Sequence, residues 1–515
     1  MDRIRSPPIR YGMLAGGTRR RSGCVRSGPS DSRRRMIADD AVTLPLWLVV
    51  AGAVLAVWSI IDRMLVPSVR WFVRRRLNRV IEDLNERLQF EIPRFARTKR
   101  QVLIDRLTYD PEVLEAVDRQ SSATGTPRDV LMAEAARYAR EIVPSFNAYA
   151  YFRIGHYLAR RLIRLLYRVR LGSTNERALA TIDHNSSIVF VINHRSNMDY
   201  LILAYMVVNR SALSYAVGEW ARIWPLQTLI RTLGAYFVRR GSGNSLYRKV
   251  LARYVQFATA GGMAQAVFPE GGLTRDGRLR TPKLGLIKYM VSEFDPEGDR
   301  DLVFVPVGIN YDRVLEDRSL VRTLDPNAVR RTRGFIFSTV VTWIAHNVWL
   351  MLSGRWYRFG YACLSFGQPL SMRSYVREHG VDFRSGDAAA GEAALQVLGA
   401  QLLEAVARCI PVTPVAAVAT VFVRNPAKAM SELEIKAHAH RLIEELERRE
   451  AYVHIPRADR DYAVTVGLRM LTLRHLVTTS DGLYRASDDA LDVLAFYANS
   501  IEHFSSGSRA EAVGT

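Results

Sequence analysis

From Ser187 onward the chain alternates apolar runs of strand length with helical stretches, and this alternation constrains the fold more than any other feature. SIVFVIN is followed by NMDYLILAYMVV, LSYAVGE by PLQTLIRTLG, and AYFVRR by NSLYRKVLARYVQFA. MAQAVFP, TPKLGLIKYMVSEF, LVFVPVGI and YACLSFG continue the series. Buried strands alternating with helices predict an α/β domain whose mixed, mostly parallel sheet is flanked by helices. In such sheets the loops that leave the strand ends carry the chemistry.

The chain has 515 residues, which predicts one large domain with additions, and its 48% hydrophobic content excludes a disordered protein. Cys24, Cys363 and Cys409 are far apart and lack metal spacing, so neither a disulfide framework nor a metal site is expected. Lys and Arg outnumber Asp and Glu by 72 to 51, giving a formal charge of +21. Such a surface attracts polyanions, whether nucleic acid, anionic lipid head groups or phosphorylated substrates. Residues 1–40 read as a basic, disordered N-terminus. The stretch AVTLPLWLVVAGAVLAVWSII, residues 41–61, carries no charge. At about 1.5 Å per residue it just spans a hydrocarbon core of about 30 Å, so a membrane helix is expected there. A signal peptide fits less well, because the run is too long and no small-residue cleavage site ends it. Arg63, Arg70, Arg74, Arg75, Arg76 and Arg79 follow and suit an anionic cytoplasmic leaflet. With Met36 as the start of translation, that orientation is unambiguous, and the catalytic domain lies on the cytoplasmic face of the inner membrane.

Residues 62–185 read as a helical N-terminal region, 186–370 as the catalytic domain and 371–515 as a C-terminal helical region. Residues 334–353 form a second uncharged run, FIFSTVVTWIAHNVWLMLS, readable as a buried helix or as one that faces lipid.

Four loops carry candidate chemistry. In VINHRSNMDYL, His194 follows a buried strand and Asp199 falls in the first turn of a helix. On a continuous helix five residues advance about 500°, so the two would not share a face. With His194 in the loop and Ser196 or Asn197 capping the helix, Asp199 folds back towards the imidazole. A carboxylate on one ring nitrogen fixes the tautomer and makes the other nitrogen a general base for an alcohol. A structural histidine beside a dipole-favoured aspartate gives the same pattern. In GAYFVRRGSGNS, Arg239 and Arg240 end a strand; such a pair binds phosphate, or is simply solvated. In VFPEGGLTRDGRLRTPKLG, Glu270, Gly271 and Gly272 follow a strand, and Thr274, Arg275 and Lys283 add a hydroxyl and two cations. The spacing is not that of a P-loop. In VFVPVGINYD, Pro306 predicts a bulge or an edge strand, because it lacks a ladder donor.

In this order, HRSNMDYLIL, GAYFVRR, FPEGGLTRDGRL and VFVPVGINYD resemble the glycerolipid acyltransferase superfamily, and within it the bacterial sn-glycerol-3-phosphate acyltransferases. SFGQPL and LAFYANSIEHF extend the resemblance over roughly 150–505. It implies the glycerolipid acyltransferase fold, with His194 as the base and Asp199 as its orienter. It further implies Arg195, Ser196, Arg239, Arg240, Thr274, Arg275 and Lys283 around the substrate, with Arg239, Arg240 and Arg275 on its phosphate. Glu270, Gly271 and Gly272 shape the glycerol site, and Pro306 lines the acyl-donor side. Leu273 stands where the family usually carries Arg. Large enterobacterial relatives continue beyond the C-terminal motif, and a function of that extension is not expected here. The implied partners are an acyl-CoA or acyl carrier protein thioester, glycerol 3-phosphate and anionic membrane lipids, with no cofactor. Rival readings are acylation of lysophosphatidate or dihydroxyacetone phosphate, and a non-catalytic lipid-binding protein. Nucleic-acid binding has no motif to support it.

Overall fold

The computed structural model describes residues 98–147, 155–207, 213–218, 234–239, 243–325, 357–384 and 388–505, with isolated positions before and between them. The expected membrane helix at 41–61, the basic segment before it, Met36, Arg240 and most of 334–353 lie outside the described residues. Among the described residues no helix is long and apolar enough to cross a membrane.

The strands are β1 (Arg168–Thr174), β2 (Ser187–Ile192), β3 (Leu213–Gly218), β4 (Ala235–Val238), β5 (Ala264–Val267), β6 (Leu302–Tyr311), β7 (Tyr361–Phe366) and β8 (Leu370–Ser371). Among the described residues they form one sheet in the order β1-β7-β6-β2-β5-β3-β4, with β8 also on β6. From β6 through β4 every neighbouring pair is parallel. β7 and β8 run antiparallel to β6, and β1 runs parallel to β7. The expected α/β architecture, with a mixed and mostly parallel sheet between helices, is therefore present.

Side-chain alternation explains why both faces are covered. Ile188, Phe190 and Ile192 of β2 join Val303, Val305, Val307 and Ile309 of β6 in one core. Val189 and Val191 face the other core with Leu302 and Phe304. Fully burying such a side chain stabilises by about 1.5–3 kcal/mol, so both layers contribute heavily to stability. The first layer is completed by helices His156–Leu166, Asp199–Val207 and Pro414–Arg424, and the second by Arg128–Ile142, Ser245–Ala260 and Ala388–Cys409.

Three features depart from the sequence reading. β1 lies in the stretch expected to be helical; its exposed, Arg-bearing edge position hides the apolar pattern of a strand. In the C-terminal region β9 (Met430–Ser431), β10 (Val477–Ser480) and β11 (Leu483–Ala486) form a second, small sheet among the helices. Asp481 and Gly482 join β10 to β11 with φ of 51° and 74°, the two positive values that a tight hairpin turn requires. Pro306 is on neither a bulge nor an edge. It sits inside β6, in register with Val191, and its carbonyl accepts from Gly367 at 2.9 Å. That side of β6 meets the turn between β7 and β8, where the ladder is interrupted, so no strand bond needs the missing N–H.

Candidate active site

The C-terminal ends of β2, β5 and β6 converge, as ligand sites in open α/β sheets do. β2 ends at Ile192, and Asn193 prolongs its pairing by side chain. The Asn193 amide donates to the Ile309 carbonyl at 2.9 Å and accepts from the Ile309 N–H at 2.8 Å. The chain then leaves the sheet, and the helix Asp199–Val207 begins five residues after His194. Loop and helix start together turn the Asp199 carboxylate back: His194 Nδ1 lies 3.0 Å from Asp199 Oδ2.

Asp199 is fully buried, which for an unpartnered carboxylate costs several kcal/mol. Its partners offset that cost. Oδ2 also accepts from the Arg195 and Ser196 backbone N–H groups at 2.7 and 3.0 Å, and Oδ1 accepts from the Tyr311 hydroxyl at 2.5 Å. Burial holds the Tyr311 phenol well above its ordinary pKa, so it remains a donor. A carboxylate only accepts, so His194 carries its hydrogen on Nδ1 and presents Nε2 as the lone-pair nitrogen. The imidazole is 14% exposed, which leaves it reachable, and it stacks on Phe268 with ring centroids 4.1 Å apart.

The loop after β5 fixes the histidine by its backbone. Glu270 accepts from the His194 N–H at 2.7 Å and from the Arg280 N–H at 3.3 Å, while the Thr274 N–H donates to the His194 carbonyl at 2.9 Å. Burial raises the Glu270 carboxyl to about 7. A second carboxylate, the half-buried Glu316, accepts from the Ser196 hydroxyl at 2.8 Å and from the Asn197 side-chain amide at 2.9 Å. Its pKa is also raised by burial.

Several residues expected to touch substrate also make contacts within the fold. Arg195 is 2% exposed and donates to the carbonyls of Gly277 and Phe496. Ser196 is buried against Glu316, and its oxygen accepts from the Met198 N–H. Glu270 spends both oxygens on backbone donors, and Thr274 closes its own turn by donating to the Arg278 carbonyl at 2.8 Å. Pro306 is covered within the sheet. Short side chains beside tight turns find backbone partners first, and buried charge must be satisfied.

The loop's remaining cations do face solvent: Arg275 and Lys283 are exposed. The stem of Lys283 passes so close over Gly271 that a Cβ there would meet its Cδ at 2.6 Å, and Gly271 has φ +68°. Gly272 is buried beside it, and Leu273 is half-buried. Arg239 ends β4, three strands from β2, roughly 14 Å by strand spacing. Its guanidinium is forked by Glu141, with contacts of 2.9 and 2.6 Å. That pairing raises its pKa further. Asn193, Phe268, Tyr311 and Glu316 are not among the sequence candidates, although Tyr311 ends the VFVPVGINY strand and Glu316 lies five residues beyond it. Among the described residues no group of His, Cys, Asp and Glu could hold a metal ion.

The C-terminal region supports this loop directly. Arg278 pairs with Glu502, Asn499 donates to the Asp276 carbonyl, and Tyr497 accepts from the Val314 N–H.

Residues 173–310 match the acyltransferase family, and residues 347–506 match the glycerol-3-phosphate acyltransferase C-terminal region. A glycerol-3-phosphate acyltransferase of Actinobacillus succinogenes is 26% identical over 342 residues, 63% of this chain and 40% of the relative. One from Xylella fastidiosa is 27% identical over 372 residues, 70% of this chain and 42% of the relative. One from Aeromonas hydrophila is 28% identical over 283 residues, 54% and 34% respectively. The chain thus spans about 40% of the length of the first two relatives. One match lies over the histidine loop and the other over the segment that braces it, so in both regions the chain is similar to the glycerol-3-phosphate acyltransferases.

Proposed function

We propose that this protein transfers a fatty acyl group from an acyl-CoA or acyl carrier protein thioester to the sn-1 hydroxyl of glycerol 3-phosphate, giving lysophosphatidate. The observation that carries the reading is the His194–Asp199 pair, with its hydrogen on Nδ1 and Nε2 left for an alcohol. His194 Nε2 takes the hydroxyl proton as the alcohol oxygen attacks the thioester carbonyl carbon. The tetrahedral intermediate expels the thiolate; the C–S bond breaks and the imidazolium returns its proton to sulfur. Asp199 stabilises the imidazolium between these steps, and its other hydrogen bonds keep it oriented. No protein nucleophile is needed, because a thioester is already activated.

The acceptor's phosphate is assigned to the cations at the strand ends, Arg239, Arg275 and Lys283, with Arg240 beside them in sequence. An extended guanidinium and a glycerol phosphate together can bridge the distance between the ends of β4 and β2. The relatives' printed names support glycerol 3-phosphate as acceptor. Leu273, in place of a family Arg, is the feature that favours testing lysophosphatidate and dihydroxyacetone phosphate as alternatives. The uncharged stretch 41–61 and the arginines after it support placing the catalytic domain at the cytoplasmic face of the inner membrane, beside anionic lipids.

The test is an acceptor and donor panel on membranes that contain the full chain. Labelled glycerol 3-phosphate, dihydroxyacetone phosphate and lysophosphatidate are each offered with acyl-CoA and acyl carrier protein thioesters. Preferred acylation of glycerol 3-phosphate is expected; preference for either other acceptor overturns the assignment.

A further inference from the structure

The guanidinium of Arg239 is occupied. Glu141, near the end of the helix Arg128–Ile142, takes its Nε and Nη2 edge with both carboxylate oxygens, at 2.9 and 2.6 Å. The rings of Tyr138 and Tyr247 each lie 5.2 Å from the guanidinium carbon. The pair is asymmetric in access: the Arg239 side chain is 33% exposed and that of Glu141 only 14%. An anion arriving from solvent therefore meets the guanidinium rather than the carboxylate.

We propose that Glu141 holds the place of the acceptor's phosphate on Arg239, and that a phosphorylated acceptor must displace it. The proposal rests on the reading above, that Arg239 binds that phosphate. A bidentate guanidinium fork accepts a carboxylate or a phosphate with the same geometry, so the two compete for one edge. While Glu141 is paired, the site loses the net positive charge of Arg239. A phosphate dianion is drawn to the guanidinium more strongly than a carboxylate monoanion, so the pair favours phosphorylated acceptors over other acids. Glu141 is also at the unfavourable end of its helix, because the macrodipole repels a carboxylate from the C-terminal turn. Arg239, 98 residues away in another part of the fold, braces that helix end beside Arg231, which donates to the Glu141 carbonyl, and Arg100, which donates to the carbonyls of Arg140 and Val143. Acceptor binding and the seating of this helix on the catalytic sheet are thereby coupled: an anion that takes the Nε and Nη2 edge of Arg239 breaks one of the contacts that brace this helix end.

The test uses the full chain in membranes and compares Glu141→Gln, Arg239→Ala and the double variant. Glu141→Gln is expected to lower the KM for glycerol 3-phosphate about tenfold, with the KM for the acyl donor unchanged. In the Arg239→Ala background the same substitution is expected to produce no fall. An unchanged or raised acceptor KM in Glu141→Gln, or an equal fall with Arg239 absent, overturns the proposal. A second measurement needs no variant. Hydrogen exchange of the last turn of the helix Arg128–Ile142 is expected to quicken when glycerol 3-phosphate is added, and unchanged or slowed exchange overturns it. If the unaltered chain makes no acylated glycerol 3-phosphate, the proposed activity fails. If it makes the product and Glu141→Gln leaves KM where it was, only the role of Glu141 fails.

Discussion

Gly277 lies so close to Phe496 that a Cβ added to it would stand 1.9 Å from the Phe496 carbonyl oxygen. The two residues come from the loop that holds the histidine and from the C-terminal region, and the buried guanidinium of Arg195 donates to the carbonyls of both. The C-terminal segment LAFYANSIEHF is therefore part of the scaffold of the loop that holds the histidine. Gly277 also has φ +89°, where a Cβ is strained whatever the space.

Gly277→Ala should accordingly destabilise the protein by about 3 kcal/mol or more, the sum of a forbidden backbone conformation and a backbone clash. Thermal unfolding reads this as a lowered Tm. An unchanged Tm would mean that the loop and the C-terminal segment are not tightly joined.

Tyr311→Phe removes the hydroxyl that donates to Asp199 Oδ1 and changes nothing else in volume. A buried carboxylate oxygen that loses its donor costs about 1–3 kcal/mol. Part of that cost should appear as a lower Tm, and part as a turnover reduced about tenfold, since Asp199 stabilises the imidazolium less well when it is less firmly held. Equal Tm and turnover in the variant would remove Tyr311 from the account.

Glu270 titrates at about 7 in the fold because of burial, against an ordinary value of 4.5. The folded protein therefore holds this proton more tightly than the unfolded chain does. The resulting stabilisation is fully present below about pH 4.5 and is lost as pH rises through about 7. The stability of the wild type relative to Glu270→Gln should fall across that window, by about 3 kcal/mol at most, and level off above it. Denaturant unfolding at a series of pH values checks this, and a flat or rising difference contradicts it.

The sheet was legible because β2 and β6 are buried along their whole length and mostly apolar, and Gly and Pro punctuate the loops between strands. β1 was not, because an edge strand written RVRLGST buries too little to show a strand pattern. The hairpin at Asp481-Gly482 carried a readable turn signal within a helical stretch that masked it. At the site, the reach of Asp199 back to His194 depended on whether a loop precedes the helix, and local sequence left that open. The duties of Asn193 and Tyr311 were not legible, since their partners lie 116 and 112 residues away. Arg195, Ser196, Glu270 and Thr274 looked like ligand groups because charge and hydroxyls in a loop suggest a ligand. Only the fold shows the backbone donors and carbonyls that these side chains serve as well.

The most direct test of the central claim is acyl transfer to labelled glycerol 3-phosphate by membranes carrying the His194→Ala variant, beside a Tm that shows the variant still folds. His194 is reachable, so the variant should still fold, with a Tm lowered by the loss of one donor to the buried Asp199, and should lose transfer by at least about 10²–10⁴-fold. A folded His194→Ala protein that retains a substantial share of wild-type turnover would contradict the account.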